Sequence, residues 1–70
     1  METIEITLNG ESRRIGAGRT VAALLEELGL HPRLVVVEHN REILERARFS
    51  ETEVRAGDVI EVVHFVGGGR

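Results

Sequence analysis

Apolar and polar residues alternate at the start of the chain, in the segment TIEITL. Ile4, Ile6 and Leu8 fall on one side of this segment, the period-2 pattern typical of a half-buried strand. The dipeptide NG at positions 9 and 10 follows and favours a type I′ hairpin turn, because both central positions of that turn need a positive φ. We therefore predict an antiparallel hairpin whose second strand, ESRRI, ends in a glycine-containing loop at 16–18.

The clearest helical pattern is the segment TVAALLEELGL. Its apolar residues recur at i, i+3, i+4 and i+7 and form one stripe: Val21, Leu24, Leu25 and Leu28. Thr20 is a favourable N-cap, Gly29 can adopt the left-handed conformation that ends a helix, and Pro32 prevents the helix from continuing. One amphipathic helix is therefore predicted between the hairpin and the second half of the chain.

The second half reads as further strands joined by turns. LVVVE is rich in β-branched residues and predicts a strand, followed by a turn at 39–41 and a short extended piece around Ile43 and Leu44. Phe49 lies in an irregular segment and is expected to fill the core. VIEVVHFV is the most apolar strand, interrupted only by Glu61 and His64, as expected of a strand at the centre of a sheet.

This order of elements predicts an α+β fold with two layers, since one helix can cover only one face of a sheet. If the last strand lies beside the first, it runs parallel to it at the centre of the sheet. That is the β-grasp arrangement, a mixed sheet of four to five strands packed on one main helix. We expect one domain over residues 1–66 and a flexible glycine tail at 67–70.

Charge and hydropathy narrow the classes of partner. The formal net charge of −3 argues against nucleic acid, which binds basic surfaces, and suits a partner with a basic docking face. The sequence contains neither a signal-peptide pattern nor an apolar run long enough to span a bilayer. We therefore expect a cytoplasmic protein that has no membrane partner.

The chain offers few groups for catalysis. It contains no cysteine, and neither Ser12 nor Ser50 lies in a nucleophile motif with a histidine. His31, His39 and His64 are too scattered to suggest a metal site by their spacing. We predict that the protein is not an enzyme, has no metal site and holds no cofactor permanently.

The unusual chemical feature is the ending EVVHFVGGGR, in which an apolar strand runs directly into three glycines. A segment without side chains can enter a narrow channel and adopt the backbone angles that a partner's active site requires. A glycine carboxylate at its end would be unhindered once activated. The alternative interpretation is a frayed terminus or a linker, since chain ends are often disordered.

Three segments together closely resemble the ThiS family, the sulfur carriers of thiamin biosynthesis: NGE, TVAALLEELGL and AGDVIEVVHFVGGG. The resemblance covers residues 3–69. It implies a ubiquitin-like β-grasp fold and a carrier without activity of its own. It also implies a ThiF-like enzyme that adenylates the terminal glycine with MgATP before the glycine becomes a thiocarboxylate. A ThiG-like thiazole synthase would take the sulfur, which a donor such as a cysteine desulfurase would supply.

The resemblance assigns roles to the end of the chain. Gly68 and Gly69 match the terminal diglycine of the family, with the thiocarboxylate on Gly69, and Gly67 lengthens the thin tail. Phe65 and Val66, with the adjoining His64, would anchor the tail and contact partners. The alternative for this anchor is a strand end packed on the protein's own core.

Two positions depart from the family pattern. The turn HNR at 39–41 stands where the family commonly has Asn-Gly, which should alter the loop and not the chemistry. Arg70 follows Gly69 and holds its carboxyl group in a peptide bond. Either a protease removes Arg70, or Arg70 is foreign to the native chain, or the protein is not charged with sulfur in the usual way.

Other functions fit the same pattern. A MoaD-like carrier for molybdopterin, or a carrier for tRNA thiolation that doubles as a protein modifier, would share the fold and the diglycine. A β-grasp adaptor without catalysis, whose tail is only a linker, belongs to a different class. Deletion of Gly68 and Gly69 separates the adaptor from the carriers, because only the carriers depend on the tail.

Overall fold

Five strands form one mixed sheet in the computed structural model, which describes residues 2–65. The strands are β1 (Thr3–Leu8), β2 (Glu11–Gly16), β3 (Val35–His39), β4 (Glu42–Leu44) and β5 (Val59–His64). Their order across the sheet is β2-β1-β5-β3-β4. β5 runs parallel to β1 and antiparallel to β3, so the last strand lies at the centre, as the sequence predicted.

The first hairpin turns at Asn9 and Gly10, whose φ angles of 51° and 82° confirm the predicted turn. Asn9 also ties the hairpin to the central strand. Its backbone N–H donates to the carbonyl oxygen of Ile60 at 2.9 Å, and its side-chain oxygen accepts from the N–H of Val62 at 2.8 Å. The turn residue therefore helps to set the position of β5 beside β1.

The helix α1 (Val21–Glu27) begins at the predicted cap, where the Thr20 hydroxyl accepts from the N–H of Ala23 at 3.1 Å. Two other N–H groups of its first turn, which have no partner within the helix, donate to loop carbonyls. Val21 donates to Thr52 and Ala22 donates to Phe49, at 2.8 and 3.0 Å. The loop after β4 is thus fastened to the start of α1.

At its other end α1 stops one residue earlier than the apolar stripe suggests, and Leu28 is the C-cap. Gly29 follows with φ of 75°, the left-handed conformation that the sequence predicted. The N–H of Leu30 donates to the carbonyl of Leu25, and the N–H of Gly29 to that of Glu26, both at 3.0 Å. This pair of bonds is the Schellman motif, which satisfies carbonyls at the helix end.

Two short 3₁₀ helices connect the remaining elements, at Pro32–Leu34 and Arg46–Arg48. Within the described part of the chain, no helix is both long and apolar enough to cross a membrane.

The core lies between α1 and one face of the sheet. Its buried residues are Ile6, Leu8, Ile15, Val21, Leu24, Leu25, Val35, Val37, Phe49, Val54, Ile60 and Val62. Phe49 is 4% exposed, which confirms its predicted place in the core. Its aromatic ring adds buried apolar area from a segment that lies outside α1 and the strands.

β5 is apolar on both faces, but only one of them is covered. Ile60 and Val62 point into the core, whereas Val63, on the opposite side of the strand, is 59% exposed. The predicted central position of β5 is confirmed, and one of its two faces is left uncovered by α1. We call the face of the sheet turned away from α1 the outer face.

Candidate functional site

The last described residues, His64 and Phe65, lie beside the start of β3. His64 is opposite Val35 in the sheet, and the N–H of Phe65 donates to the carbonyl oxygen of Leu34 at 2.8 Å. The backbone is therefore held against β3 as far as Phe65. The predicted carrier positions Gly67, Gly68 and Gly69, with Val66 and Arg70, lie outside the described residues, and so does the predicted domain boundary after residue 66.

Exposed apolar side chains lie at this strand end, and one more lies on the edge strand β4. The large apolar residues most exposed among residues 2–65 are Leu34, Ile43, Val63 and Phe65, which we call the outer patch. Val63 and Ile43 lie on the outer face because their cross-strand partners, Val36 and Glu38, alternate with the buried residues of β3. Contiguous exposed apolar patches often mark contact surfaces for other molecules, so a docking role for the outer patch stays a prediction.

The exposure of Phe65 distinguishes the two interpretations of its side chain, which are a residue that contacts partners and a strand end packed on the protein's own core. Phe65 is 51% exposed and is therefore not a core residue. His64 is also exposed, although it stands on the strand that carries the core residues Ile60 and Val62. A docking role for these residues agrees with their exposure and remains a prediction.

A charged depression of about 460 Å³ adjoins the outer patch. Glu38, Arg41, Val59 and Glu61 line it. Glu38 of β3 is directly opposite Glu61 of β5 in the antiparallel pair. Like charges directly opposite each other in an antiparallel pair repel, and the Arg41 side chain borders the same depression.

A second polar cluster fastens the β3–β4 turn to the start of β5. The Asp58 carboxylate lies 2.8 Å from Nε2 of His39 and accepts from the side-chain amide of Asn40 at 3.2 Å and from the N–H of Arg55 at 2.9 Å. Asn40 also exchanges two bonds with Val59, since its N–H donates to the Val59 carbonyl and its side-chain oxygen accepts from the Val59 N–H. The cluster joins two turns that are far apart in the sequence.

Burial and hydrogen bonding have opposite effects on the pKa of Asp58 in that cluster. Partial burial of the carboxyl group acts to raise its pKa, because burial disfavours the charged form. The hydrogen bonds from the backbone of Arg55 and from the side chains of His39 and Asn40 favour the charged form and outweigh burial. The net result is a pKa below the ordinary value for an aspartate.

The histidines and serines take separate structural positions. His31 accepts a hydrogen bond from the N–H of Arg33 at 3.1 Å, and the Ser12 hydroxyl donates to the Glu5 carboxylate. His39, expected at the surface or in a turn, is partly buried against Asp58. Among residues 2–65, no three histidine, cysteine, aspartate or glutamate side chains are grouped closely enough to hold a metal ion.

Two features of this surface were not singled out from the sequence. Glu38 of β3 and Glu61 of β5 face each other across the two strands. Detecting that pair requires the register between β3 and β5. The exposure of Val63 could have been inferred, since the opposite side of β5 is occupied by core residues. Ile43 is next to Leu44, which packs against the core from the other side of β4.

A mixed five-stranded sheet with the last strand at its centre and one helix on one face defines a ubiquitin-like β-grasp protein. A sequence model of the ThiS family matches residues 6–69. The chain belongs to the ThiS family of sulfur-carrier proteins.

Individual relatives agree with this assignment. The crystal structure of the thiamine biosynthesis protein ThiS from Geobacter metallireducens superimposes with a TM-score of 0.78 and 37% identity, covering 94% of this chain and all of that one. The sulfur carrier protein ThiS of Bacillus subtilis is 48% identical over 50 residues, 71% of this chain and 76% of its own length.

A longer protein is also similar to the chain. The thiazole synthase of Paramagnetospirillum magneticum is 44% identical over 66 residues, which are 94% of this chain. The chain spans only 20% of the length of that relative. That relative therefore has a long sequence beyond the segment that is similar to this chain.

Proposed function

We propose that the chain carries sulfur as a thiocarboxylate on Gly69 and donates it for the thiazole ring of thiamin. The observation that carries this proposal is the extent of the family match, which runs through residue 69 and so includes the three glycines. The fold supports it as well, because the central strand β5 leads directly toward that segment.

The proposed chemistry needs no catalytic group on the carrier. An oxygen of the Gly69 carboxylate attacks the α-phosphate of ATP, pyrophosphate leaves, and an acyl adenylate forms. A sulfide equivalent then attacks the glycine carbonyl carbon, AMP leaves, and the thiocarboxylate remains. The absence of a β-carbon at Gly68 and Gly69 leaves this carbon open to attack.

Partners supply the catalysis in this scheme. A ThiF-like enzyme would bind MgATP and adenylate the tail, and a sulfur donor such as a cysteine desulfurase would provide the sulfur. A ThiG-like thiazole synthase would accept it, all in the cytoplasm. The exposed ring of Phe65, with His64 and Val66 beside it, would contact whichever enzyme holds the tail.

The active form in this proposal ends at Gly69. In the present sequence Arg70 follows, so the Gly69 carboxyl group is in a peptide bond and has no free oxygen to attack ATP. Adenylation in this proposal requires a chain in which the Gly69 carboxyl group is free.

The test uses three chains, one ending at Gly69, one ending at Arg70 and one ending at Gly67. Each is incubated with a purified ThiF-like enzyme of the same organism, MgATP and labelled pyrophosphate, and the exchange of label into ATP is measured. We expect exchange only with the chain ending at Gly69. Intact mass after addition of a sulfur donor should then show one oxygen exchanged for sulfur.

The opposite result is equally clear. If the chain ending at Gly69 supports no exchange, the carrier proposal fails. Binding of partners that survives removal of Gly68 and Gly69, without any defect in thiazole synthesis in cells, would favour the adaptor function.

A further inference from the structure

Both asparagines of the sequence lie in hairpin turns, and both turns contact the central strand β5. Asn9 and Asn40 have φ angles of 51° and 53°, in the left-handed region. The side-chain oxygen of Asn9 accepts from the N–H of Val62, and that of Asn40 accepts from the N–H of Val59, both at 2.8 Å. The two residues therefore share a backbone conformation and a kind of contact.

The residue that follows each asparagine makes the two chemically different. An asparagine loses its side-chain amide when the backbone nitrogen of the next residue attacks the side-chain carbonyl carbon. Gly10 follows Asn9 and has no side chain to hinder this attack, whereas the Arg41 side chain hinders the attack at Asn40. Asn9 and Gly10 are both exposed, so water and hydroxide reach this turn.

The folded turn keeps the reacting atoms of Asn9 and Gly10 apart. In the left-handed region ψ is about +47°, which places the next backbone nitrogen on the opposite side of the Cα–C bond from the β-carbon. Closure of a five-membered ring needs this nitrogen and the β-carbon on the same side. The reaction therefore requires the turn to open and the Asn9 side chain to leave the N–H of Val62.

We propose that Asn9 is a site of spontaneous deamidation whose rate is set by the opening of the first hairpin turn from β5. The nitrogen of Gly10 loses its proton to hydroxide and bonds to the side-chain carbonyl carbon, and the amide C–N bond breaks to release ammonia. Water then opens the cyclic imide at one of its two carbonyl carbons. The products are aspartate and isoaspartate, and in isoaspartate the backbone runs through the former side chain.

The two products have different effects on β5. Aspartate keeps a side-chain oxygen that can accept from the N–H of Val62, so the contact survives with an added negative charge. Isoaspartate adds one methylene group to the backbone of a turn whose geometry is set by two residues. The N–H of Val62 and the carbonyl oxygen of Ile60 then lose the partner that holds β5 beside β1. Formation of isoaspartate should therefore loosen the strand that leads toward the glycine segment.

The experiment follows deamidation of the full chain and of Arg41→Gly in mildly alkaline buffer, each with and without denaturing urea. Arg41→Gly places a glycine after Asn40 and so provides a second turn with the same neighbour as Asn9. Trypsin cleaves after arginine and separates Asn9, in peptide 1–13, from Asn40, in the peptide that begins at residue 34. Mass spectrometry measures the replacement of the amide by an acid in each peptide.

In urea, Asn9 should react in both chains, and Asn40 should react at a comparable rate only in Arg41→Gly. Without urea, Asn9 should react roughly 10–100-fold more slowly, because opening of the turn breaks hydrogen bonds of the folded state. Asn40 of Arg41→Gly should be protected in the same way, since its side chain has the equivalent contact with Val59.

Hydrogen exchange measures the effect of the product on β5. The isoaspartyl chain is isolated by chromatography, and Asn9→Asp serves as the matched aspartyl chain. The N–H of Val62 should exchange faster in the isoaspartyl chain than in Asn9→Asp, whereas the N–H of Val59 should be unchanged because Asn40 still holds it. The isoaspartyl chain should also unfold at a lower temperature.

Three results would overturn the inference. Equal rates for Asn9 with and without urea would show that the fold does not control the reaction. Faster reaction of Asn40 than of Asn9 in the full chain would show that the following residue does not select the site. An isoaspartyl chain with the stability and the Val62 exchange rate of Asn9→Asp would show that the contact with β5 survives. None of these measurements involves sulfur transfer, so they do not depend on the proposed function.

Discussion

Nε2 of His39 lies 2.8 Å from Oδ2 of Asp58, and this contact joins the end of β3 to the residue that precedes β5. Asn40 and the backbone of Arg55 donate to the same carboxylate. The start of the central strand is thereby fixed at the opposite end from the glycine tail. One end of β5 is held by polar contacts, and the other presents the outer patch.

Replacing Asp58 with asparagine should destabilise the protein by roughly 1–3 kcal/mol at pH 7, since hydrogen bonds to a charged acceptor are lost. The effect should depend on pH in a defined direction. The folded-state pKa of Asp58 lies below the ordinary value of about 3.9, so its stabilising contribution is complete above that value. The contribution disappears as the pH falls through the folded-state pKa.

Urea unfolding of the parent chain and Asp58→Asn between pH 7 and pH 2.5 tests this expectation. The difference in unfolding free energy should persist down to about pH 5 and should shrink below pH 4. Glu26→Gln, at an exposed helix position, serves as the control and should show a small difference throughout. A difference for Asp58→Asn that stays constant down to pH 2.5 would contradict the charge-based explanation.

The turn between β3 and β4 holds a residue in an unfavourable conformation. Arg41 has φ of 74°, in the left-handed region where a residue with a side chain costs about 1–2 kcal/mol. Replacement by glycine would remove this cost, but glycine also loses more conformational freedom on folding, which offsets part of the gain. Arg41→Gly should therefore raise the unfolding free energy by roughly 0.5–1 kcal/mol.

The equivalent position of the first hairpin provides the matched control. Gly10 has φ of 82°, and a β-carbon added there would meet no atom within 4 Å. Gly10→Ala should destabilise the protein through backbone strain alone. Both variants can be followed by thermal unfolding, and a stabilising Gly10→Ala or a destabilising Arg41→Gly would show that the turn geometry is not the deciding factor.

Local elements could be predicted because their signals are local. The turn at Asn9 and Gly10 follows from the φ angles these residues tolerate, and the start of α1 follows from the hydroxyl of Thr20. The apolar stripe extends to Leu28, whereas α1 ends at Glu27 and Leu28 is its C-cap. Leu28 still packs against the core, so the apolar pattern continues one residue beyond the helix.

The arrangement of the outer face could not be predicted in the same way. Periodicity shows that β5 has two apolar sides, but the position of the single helix decides which side is covered and leaves Val63 exposed. The approach of Glu38 to Glu61 depends on a strand pairing between residues that are 23 positions apart in sequence. Such pairings are fixed by tertiary packing, which a one-dimensional pattern does not contain.

The cap of α1 gives a prediction with an internal control. Thr20→Ala removes the acceptor for the N–H of Ala23 and should cost about 1 kcal/mol. Thr20→Ser keeps the hydroxyl and should retain most of the stability. Chemical unfolding of the two variants compares them directly, and equal losses would assign the effect to the methyl group instead of the hydrogen bond.

The two phenylalanines of the chain separate folding from docking. Phe49 is 4% exposed, so Phe49→Ala should cost roughly 3–5 kcal/mol, a large part of the stability of a domain this small. Phe65 is 51% exposed, so Phe65→Ala should change the unfolding free energy by less than about 0.5 kcal/mol.

Among variants that still fold, the affinity for a partner should depend on Phe65 and not on Phe49. Phe65→Ala removes the aromatic contact at the tail base and should weaken binding to the thiazole synthase, whereas Phe49→Leu, which keeps a large apolar side chain in the core, should bind normally. Unfolding curves and calorimetric titrations on the same preparations measure both properties. If the Phe65→Ala chain is clearly less stable than the parent chain, the ring contributes to the stability of the fold. If this variant binds as tightly as the parent chain, the ring is not part of the docking surface.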